Sequence, residues 1–363
     1  MSLTGCSSVE TVANAVPDFF PSTIHTLTSL ELQQTIHPVE LFPSGTLPVF
    51  QISWKLPKLK SLRLTRIPLY PALASVTSLV ELKLVGYTTP FNFGKFIEFL
   101  RSNPNLELII LDIQLVEHPV PVWISPLRVI SFPHLRHLSI TSNNPTDARG
   151  LISSVSLPQG AHLEVVNSQV NPPADLRSFL PSYSKQVQEV LTPITIIKYQ
   201  AEPRVVELFG NNSRFSFRCQ TSSSFDAYSE FTLFTVIAVR EFHLKASYFD
   251  DHYWQFSRLP ALETFVLANV SSFPLRPFAF LAEEPTLCPS LKTIAFFDCN
   301  LDRKVIEDLE DVVAKRKKTT AAWLHRVVIV RKTGALPDHK LIHRLRKSVP
   351  HVDARIDEEL PDL

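Results

Sequence analysis

"LPKLKSLRLTRI", residues 56–67, is the stretch that decides the fold. Leucines stand at 56, 59, 62 and 64, with Lys60, Ser61, Arg63 and Thr65 among them. In an extended chain alternate residues face opposite sides. Leu62 and Leu64 therefore point one way, and Ser61, Arg63 and Thr65 the other. One strand cannot bury two leucines alone, so the pattern calls for neighbours of the same kind.

The neighbours are in the sequence. "LKSLRL" (59–64) is echoed by "LVELKL" (79–84), "LELIIL" (106–111) and "LRHLSI" (135–140). Later come "LETFVL" (262–267), "LKTIAF" (291–296) and "LHRVVI" (324–329), and a weaker copy, "LTSLEL" (27–32), comes first. Where consecutive copies can be compared, their last apolar residues lie 20 to 33 positions apart: 64, 84, 111 and 140, then 267, 296 and 329. That spacing is at or a little above the leucine-rich-repeat period of about 20–29 residues. "LKTIAFFDC" (291–299) also supplies the Cys that closes such a repeat, and "LRHLSITSN" (135–143) the Asn. Most copies follow a proline or serine by one or two positions: Pro57, Ser78, Pro104, Pro133, Pro260, Pro289.

The segments between copies are expected to return along the opposite side. Residues 92–103 place Phe93, Phe96, Ile97 and Leu100 on one helical face, and 302–318 do the same with Val305, Ile306, Leu309, Val312 and Val313. Thr146-Asp147 and Asp302 are expected N-caps or first-turn residues. From about 166 to 238 the copies blur. Residues 171–191 read as broken helix, and 194–199, 204–208, 214–219 and 230–239 as strands of degenerate repeats with an inserted hairpin. The expected architecture is α/β: an irregular leucine-rich-repeat solenoid, or horseshoe, with a parallel concave sheet, convex helices and a degenerate middle section. It spans 1–363 as one domain: an N-terminal cap (1–26), repeats (27–166), the degenerate section (167–238), repeats (239–350) and an acidic tail (351–363). The alternative is a domain break near 170–190.

Composition narrows function. The 363 residues carry 36 Lys plus Arg against 35 Asp plus Glu, a formal net charge of +1. No global field favours nucleic acid or an anionic membrane. The chain has 29 prolines and 8 glycines, too few glycines for phosphate-cradling loops. Four cysteines in a chain this long are expected to be reduced thiols of an intracellular protein, cytoplasmic or nuclear. Residues 1–16 do not read as a signal peptide, and no apolar run approaches the roughly 20 residues of a membrane span.

No catalytic or metal constellation stands out. Asp250, Asp251 and His252 are adjacent, whereas metal ligands converge from several elements. His339 and His343 sit at i, i+4 without the Glu of a zincin helix and read as a basic helix surface. "KRKK" (315–318) closes a helix whose first half is acidic, which suits the helix dipole. The expectation is a protein without enzymatic activity, cofactor or metal.

The outward residues of the strands define a candidate face for a protein partner. From the N-terminal side it runs Glu31, Arg63 with Thr65, Glu81 with Lys83, Asp112, and His137 with Ser139. Glu241 with His243 follow, then Thr264, Val266, Thr293, Ala295, Phe297, Arg326 and Val328. The first half is of mixed charge, which favours orientation and association rate. The second half is apolar, with Phe297 as an anchor. An exposed apolar row marks a partner site or is covered by the chain itself.

"LKSLRLTRIPLYPALASVTSLVELKLVGY", "FPHLRHLSI", "ISSVSLPQGAHLEV" and "CPSLKTIAFFDC" together resemble the F-box/leucine-rich-repeat proteins of mushroom-forming fungi, from about residue 20 onward. The resemblance implies a substrate-recognition region of a ubiquitin-ligase receptor, whose F-box docks a cullin–RING adaptor. An F-box would begin with a Leu-Pro helix start, and residues 1–26 do not supply one; Leu336-Pro337 lies at the other end. The expectation is a repeat-only relative, or a chain whose F-box is supplied upstream. The alternative is a stand-alone repeat scaffold with no ligase link.

Overall fold

The computed structural model describes residues 2–3, 26–33, 56–66, 76–87, 93–113, 129–168, 176–180, 192–201, 204–210, 212–219, 236–247, 256–273, 278–284, 286–319, 323–332 and 336–357. The chain divides into two compact units, Met1–Val190 and Leu191–Leu363.

The first unit contains strands β1 (Ser2–Leu3), β2 (Ser29–Gln33), β3 (Ser61–Thr65), β4 (Glu81–Tyr87), β5 (Leu108–Ile113), β6 (Ile130–Ser131), β7 (His137–Ser142), β8 (Val155–Ser156) and β9 (His162–Asn167). Its helices are α1 (Phe93–Arg101), α2 (Pro145–Ser154) and α3 (Leu176–Phe179). The main sheet runs β1-β2-β3-β4-β5-β7-β9, and β6 pairs with β8 apart from it. Every one of these pairings is parallel. The register stacks the apolar positions in two columns. Leu30, Leu62, Leu82, Ile109, Leu138 and Leu163 form one, and Leu32, Leu64, Leu84, Leu111, Ile140 and Val165 the other. All twelve are buried. At about 1.5–3 kcal/mol per buried aliphatic side chain, each rung contributes more than a surface ion pair of about 0–1 kcal/mol.

The repeating unit is longer than the six-residue copies suggest. Leu59 N–H donates to the Leu56 carbonyl at 3.2 Å, and the same turn recurs at Asn103–Leu106, Phe132–Leu135, Val236–Val239, Leu259–Leu262 and Cys288–Leu291. Pro57, Pro104, Pro133, Pro260 and Pro289 each occupy the second position of such a turn, where a φ near −65° is already required. The prolines thus belong to the turn before the strand.

The second unit contains β10 (Ile194–Gln200), β11 (Arg204–Gly210), β12 (Ser213–Cys219), β13 (Glu241–Lys245), β14 (Thr264–Ala268), β15 (Thr293–Phe297), β16 (Arg326–Arg331) and β17 (His351–Ile356). Its helices of two turns or more are α5 (Arg303–Arg316) and α6 (His339–Ser348), preceded by the short α4 (Ala279–Glu283). The order is β12-β11-β10-β13-β14-β15-β16-β17. β12, β11 and β10 are antiparallel neighbours, and from β10 to β17 all pairings are parallel. The expected hairpin on the sheet is this meander. The core columns here are partly aromatic: Phe242 and Phe265 stack at 5.6 Å between centroids.

Three expectations change. Residues 230–239 do not make a strand where they are described. Val236 and Val239 form the turn before β13, because Val236, Val239, Phe242 and Leu244 repeat the spacing of Leu56, Leu59, Leu62 and Leu64; tertiary context overrides β-propensity. The cap of α2 is Asn144, whose Oδ1 accepts from Thr146 N–H at 3.0 Å, with Pro145 in the first turn. Of 171–191, read as broken helix, the described part is the short α3 and residue 180, and the rest lies outside the described residues. The acidic tail begins later than 351, since β17 continues the parallel ladder; Asp353 and Arg355 disguise the alternation. Asp302 does cap α5, accepting from Val305 N–H at 3.0 Å. Among the described residues no helix is long and apolar enough to cross a membrane.

Candidate functional site: the sheet face opposite the core

Parallel register also lines up the residues between the leucines. In the first unit one row runs Glu31, Arg63, Lys83, Ile110, Ser139, Glu164. Arg63 Nε lies 3.4 Å from Glu31 Oε1, and Lys83 Nζ 3.9 Å from Glu81 Oε2. Ser61 Oγ donates to Glu81 at 3.3 Å. The face therefore carries charge of both signs, with Arg63 and Lys83 side by side on β3 and β4 and each beside a glutamate, and Arg63 is the most exposed of the four. Thr65 stands one rung further, opposite Gln33 and Val85. The predicted row has an apolar centre in Leu108 and Ile110, both half-buried.

Asp112 is less available than its place in the sequence implies. It accepts from Gly86 N–H at 3.3 Å. Burial raises its carboxyl above the ordinary range, and the Gly86 bond opposes that rise.

The most concentrated chemistry of this unit is at β7 and β9. Ser139 Oγ donates to Glu164 Oε2 at 2.9 Å, and His137 Nε2 stands 3.7 Å from the same oxygen. The His137 and His162 rings lie 4.6 Å apart, tilted. His137 holds the Glu164 carboxyl down to about 2, with Ser139 assisting and burial opposing. The serine bonds the carboxylate and not an imidazole, so this is an ordered polar cluster without the nucleophile–base pair of acyl-transfer sites.

In the second unit the expected apolar row is real but closed. Val266, Ala295 and Val328 are 4%, 5% and 9% exposed, and with Val330 and half-buried Phe297 they form one cluster. Val266 is thus a packing residue, and Phe297 is the member that keeps surface. The reason is register: the three small side chains stand side by side on β14, β15 and β16, close enough to exclude water from one another. Thr264, Thr293 and exposed Arg326 flank the cluster in the adjoining row, and Arg326 lies 3.9 Å from Asp353 on β17.

No protein-family model and no curated protein matches the chain.

Beside the apolar cluster, His243 borders a recess of about 170 Å³ in the sheet face. His243 lines it together with Lys198, Gln200, Glu207, Arg218 and Lys245, over Val205, Val266 and Ala268. The His243 Nε2 lies 3.3 Å from Glu241 Oε2, and its Nδ1 is buried without a hydrogen-bond partner among the described residues. Burial pushes the His243 imidazole down; Glu241 works against that and the Lys198 charge with it.

Of the predicted residues, Glu31, Arg63, Thr65, Glu81, Lys83, Asp112, His137 and Ser139 fall on one face of the first unit. Glu241, His243, Val266, Phe297 and Arg326 fall on one face of the second. Sequence reasoning missed His162 and Glu164, in "AHLEVV", whose alternation was available. It also missed Lys198 and Arg218, which lie on strands outside the leucine pattern, and Lys245, the last residue of β13. Residues 249–255, with Asp250, Asp251 and His252, lie outside the described residues. His339 and His343 are exposed on α6. Among the described residues no group of three His, Cys, Asp or Glu side chains could hold a metal ion.

Proposed function

We propose that the chain is an irregular leucine-rich-repeat solenoid that works without catalysis, as a protein-interaction module. The observation that carries this reading is the aligned row of charge on the sheet face, Glu31, Arg63 and Lys83, held at fixed spacing by the leucine register behind it. Complementary charge rows of this kind orient a protein partner and speed its encounter. The resemblance to fungal F-box/leucine-rich-repeat proteins adds a role: recruiting a substrate to a ubiquitin ligase, with the cullin–RING adaptor as second partner where an F-box is supplied. The stand-alone scaffold is the second reading and uses the same face.

The test compares the intact chain with an Arg63→Glu/Lys83→Glu variant by cross-linking in cells. A defined set of partners that the variant loses, while it melts like the parent, supports the interaction reading. Identical partner sets for the two proteins would sink it. Co-purification of the intact chain with the cullin–RING adaptor then separates ligase receptor from scaffold.

A further inference from the structure

β17 (His351–Ile356) is the last strand of the sheet in the second unit, and among the described residues no strand pairs with its other edge. Parallel pairing uses alternate residues for the two sides of a strand. His351 N–H donates to the His325 carbonyl and Asp357 N–H to the Arg331 carbonyl, both at 3.0 Å. The odd-numbered residues therefore serve β16, and Val352, Ala354 and Ile356 turn their N–H and C=O groups to the open side. The same three residues carry the core column to the edge. They stand opposite Val327, Ile329 and Arg331. Val327 and Ile329 are 0% and 1% exposed, whereas Ile356 is 56% exposed and Val352 and Ala354 are half-buried. An open edge of this kind is a template for another strand. β17 has no proline, and its register with β16 has no bulge, to blunt it.

The residues of the edge select its occupant. Antiparallel strands bond through residues directly opposite one another. A second copy must therefore set even-numbered residues of its β17 against even-numbered residues here. Three registers keep the overlap long. Centred on Asp353, the pairing sets that carboxylate against itself. Centred on Arg355, it sets Arg355 against itself and Asp353 against Asp357. Centred on Ala354, it sets Asp353 against Arg355 twice over and His351 against Asp357, with Val352 against Ile356 on the other face. Like charges directly opposite destabilise a strand pair, and opposite charges stabilise it. We infer that the chain forms a two-fold dimer through β17, paired antiparallel about Ala354, so that one sheet continues across both copies. A two-fold axis perpendicular to the sheet keeps the two charged rows on one face and the two apolar rows on the other, and it closes the assembly at two. Within one chain Asp353 lies 3.2 Å from Arg355 and 3.9 Å from Arg326. The Asp353 and Arg355 side chains remain 36% and 55% exposed, open to a strand laid alongside.

The inference goes beyond the proposed partner face, which lies on the first unit, and does not rest on it. The experiment is sedimentation of the intact chain over a range of concentrations. The parent is expected to pass from monomer to dimer. Asp353→Arg sets arginine against Arg355, and Arg355→Asp sets aspartate against Asp353, each twice in a dimer. Each single change should therefore weaken self-association by about tenfold or more. The two single variants mixed in equal amounts place every charge opposite its complement, so they should form a mixed dimer. The double variant Asp353→Arg/Arg355→Asp should regain the dimer of the parent, which separates a lost register from a lost fold. A parent that stays monomeric throughout would overturn the inference and leave the edge to a strand of another protein. A dimer that survives both single changes, or single variants whose mixture and double combination stay monomeric, would overturn it as well.

Discussion

Arg316 Nη2 donates to the carbonyl oxygen of Cys288 at 2.8 Å, and Nη1 donates to the carbonyl of Leu287 at 3.0 Å. The last turn of α5 is thereby tied to the turn that starts the preceding strand. The side chain is 1% exposed, although it lies within the "KRKK" run that reads as a basic surface. Burial pushes its guanidinium pKa down, and the two carbonyls give the charge its partners. Arg316→Ala removes both bonds; the Cys288 carbonyl keeps the Leu291 N–H and the half-buried Leu287 carbonyl loses this donor, at a cost of about 1–3 kcal/mol. Arg316→Lys should lie between, since a point donor cannot serve two divergent carbonyls. Urea unfolding measures both. An alanine variant within about 0.5 kcal/mol of the parent, the ordinary surface range, would show the bonds to be incidental.

Glu164 links stability to acidity. Its carboxyl ionises at about 2 in the folded chain, against an ordinary 4.5. As pH falls, the unfolded chain therefore takes up this proton first. The stabilisation is whole above about 4.5 and is lost progressively toward 2. Glu164→Gln removes that component, so the variant's stability should fall less steeply between those two pH values. Urea midpoints measured across the interval for parent and variant decide it. Parallel curves would mean that His137 and Ser139 do not hold the charge.

The repeats were legible because Leu62 and Leu64 carry two signals at once, alternation within the strand and recurrence between strands. Pro57 was legible as punctuation but not as the second residue of a turn, since that assignment needs the Leu59–Leu56 bond. Val266, Ala295 and Val328 read as an exposed row because outward position alone was visible; their mutual closeness comes from the register of three strands. The recess was the hardest to see. Lys198, Arg218 and Lys245 are separated by 20 and 27 positions, and only the antiparallel meander β10-β11-β12 beside β13 brings them to one space. Arg316 was hidden for the opposite reason, a buried cation among exposed ones of the same sign.

Strand β3 offers a direct test of the two faces. Leu62 is fully buried and Arg63 exposed, with an ion pair to Glu31 at 3.4 Å between half-exposed side chains. Leu62→Ala should cost about 2–5 kcal/mol, as cavity-forming leucine truncations do. Arg63→Ala should cost under about 1 kcal/mol, the range of exposed ion pairs. Chemical denaturation of the two variants side by side checks the difference. Equal losses would contradict the orientation of the strand, and with it the face assigned to a partner.

Gly86 makes the last prediction, about how β4 ends. It sits at φ +67°, and a Cβ there would lie 3.1 Å from Arg66 Cγ. The register between β4 and β5 shifts at this point, between Leu84 and Tyr87, and Gly86 N–H turns to Asp112. Gly86→Ala meets two separate penalties, a left-handed backbone that L-residues rarely adopt and a close contact with Arg66. Their sum should be about 1–2 kcal/mol. Arg66→Ala in the same chain relieves the contact and leaves the backbone cost, so the double variant should be more stable than the two single losses predict. A thermodynamic cycle over the four proteins measures that coupling. Strict additivity would remove Arg66 from the account and leave the backbone alone to explain the glycine.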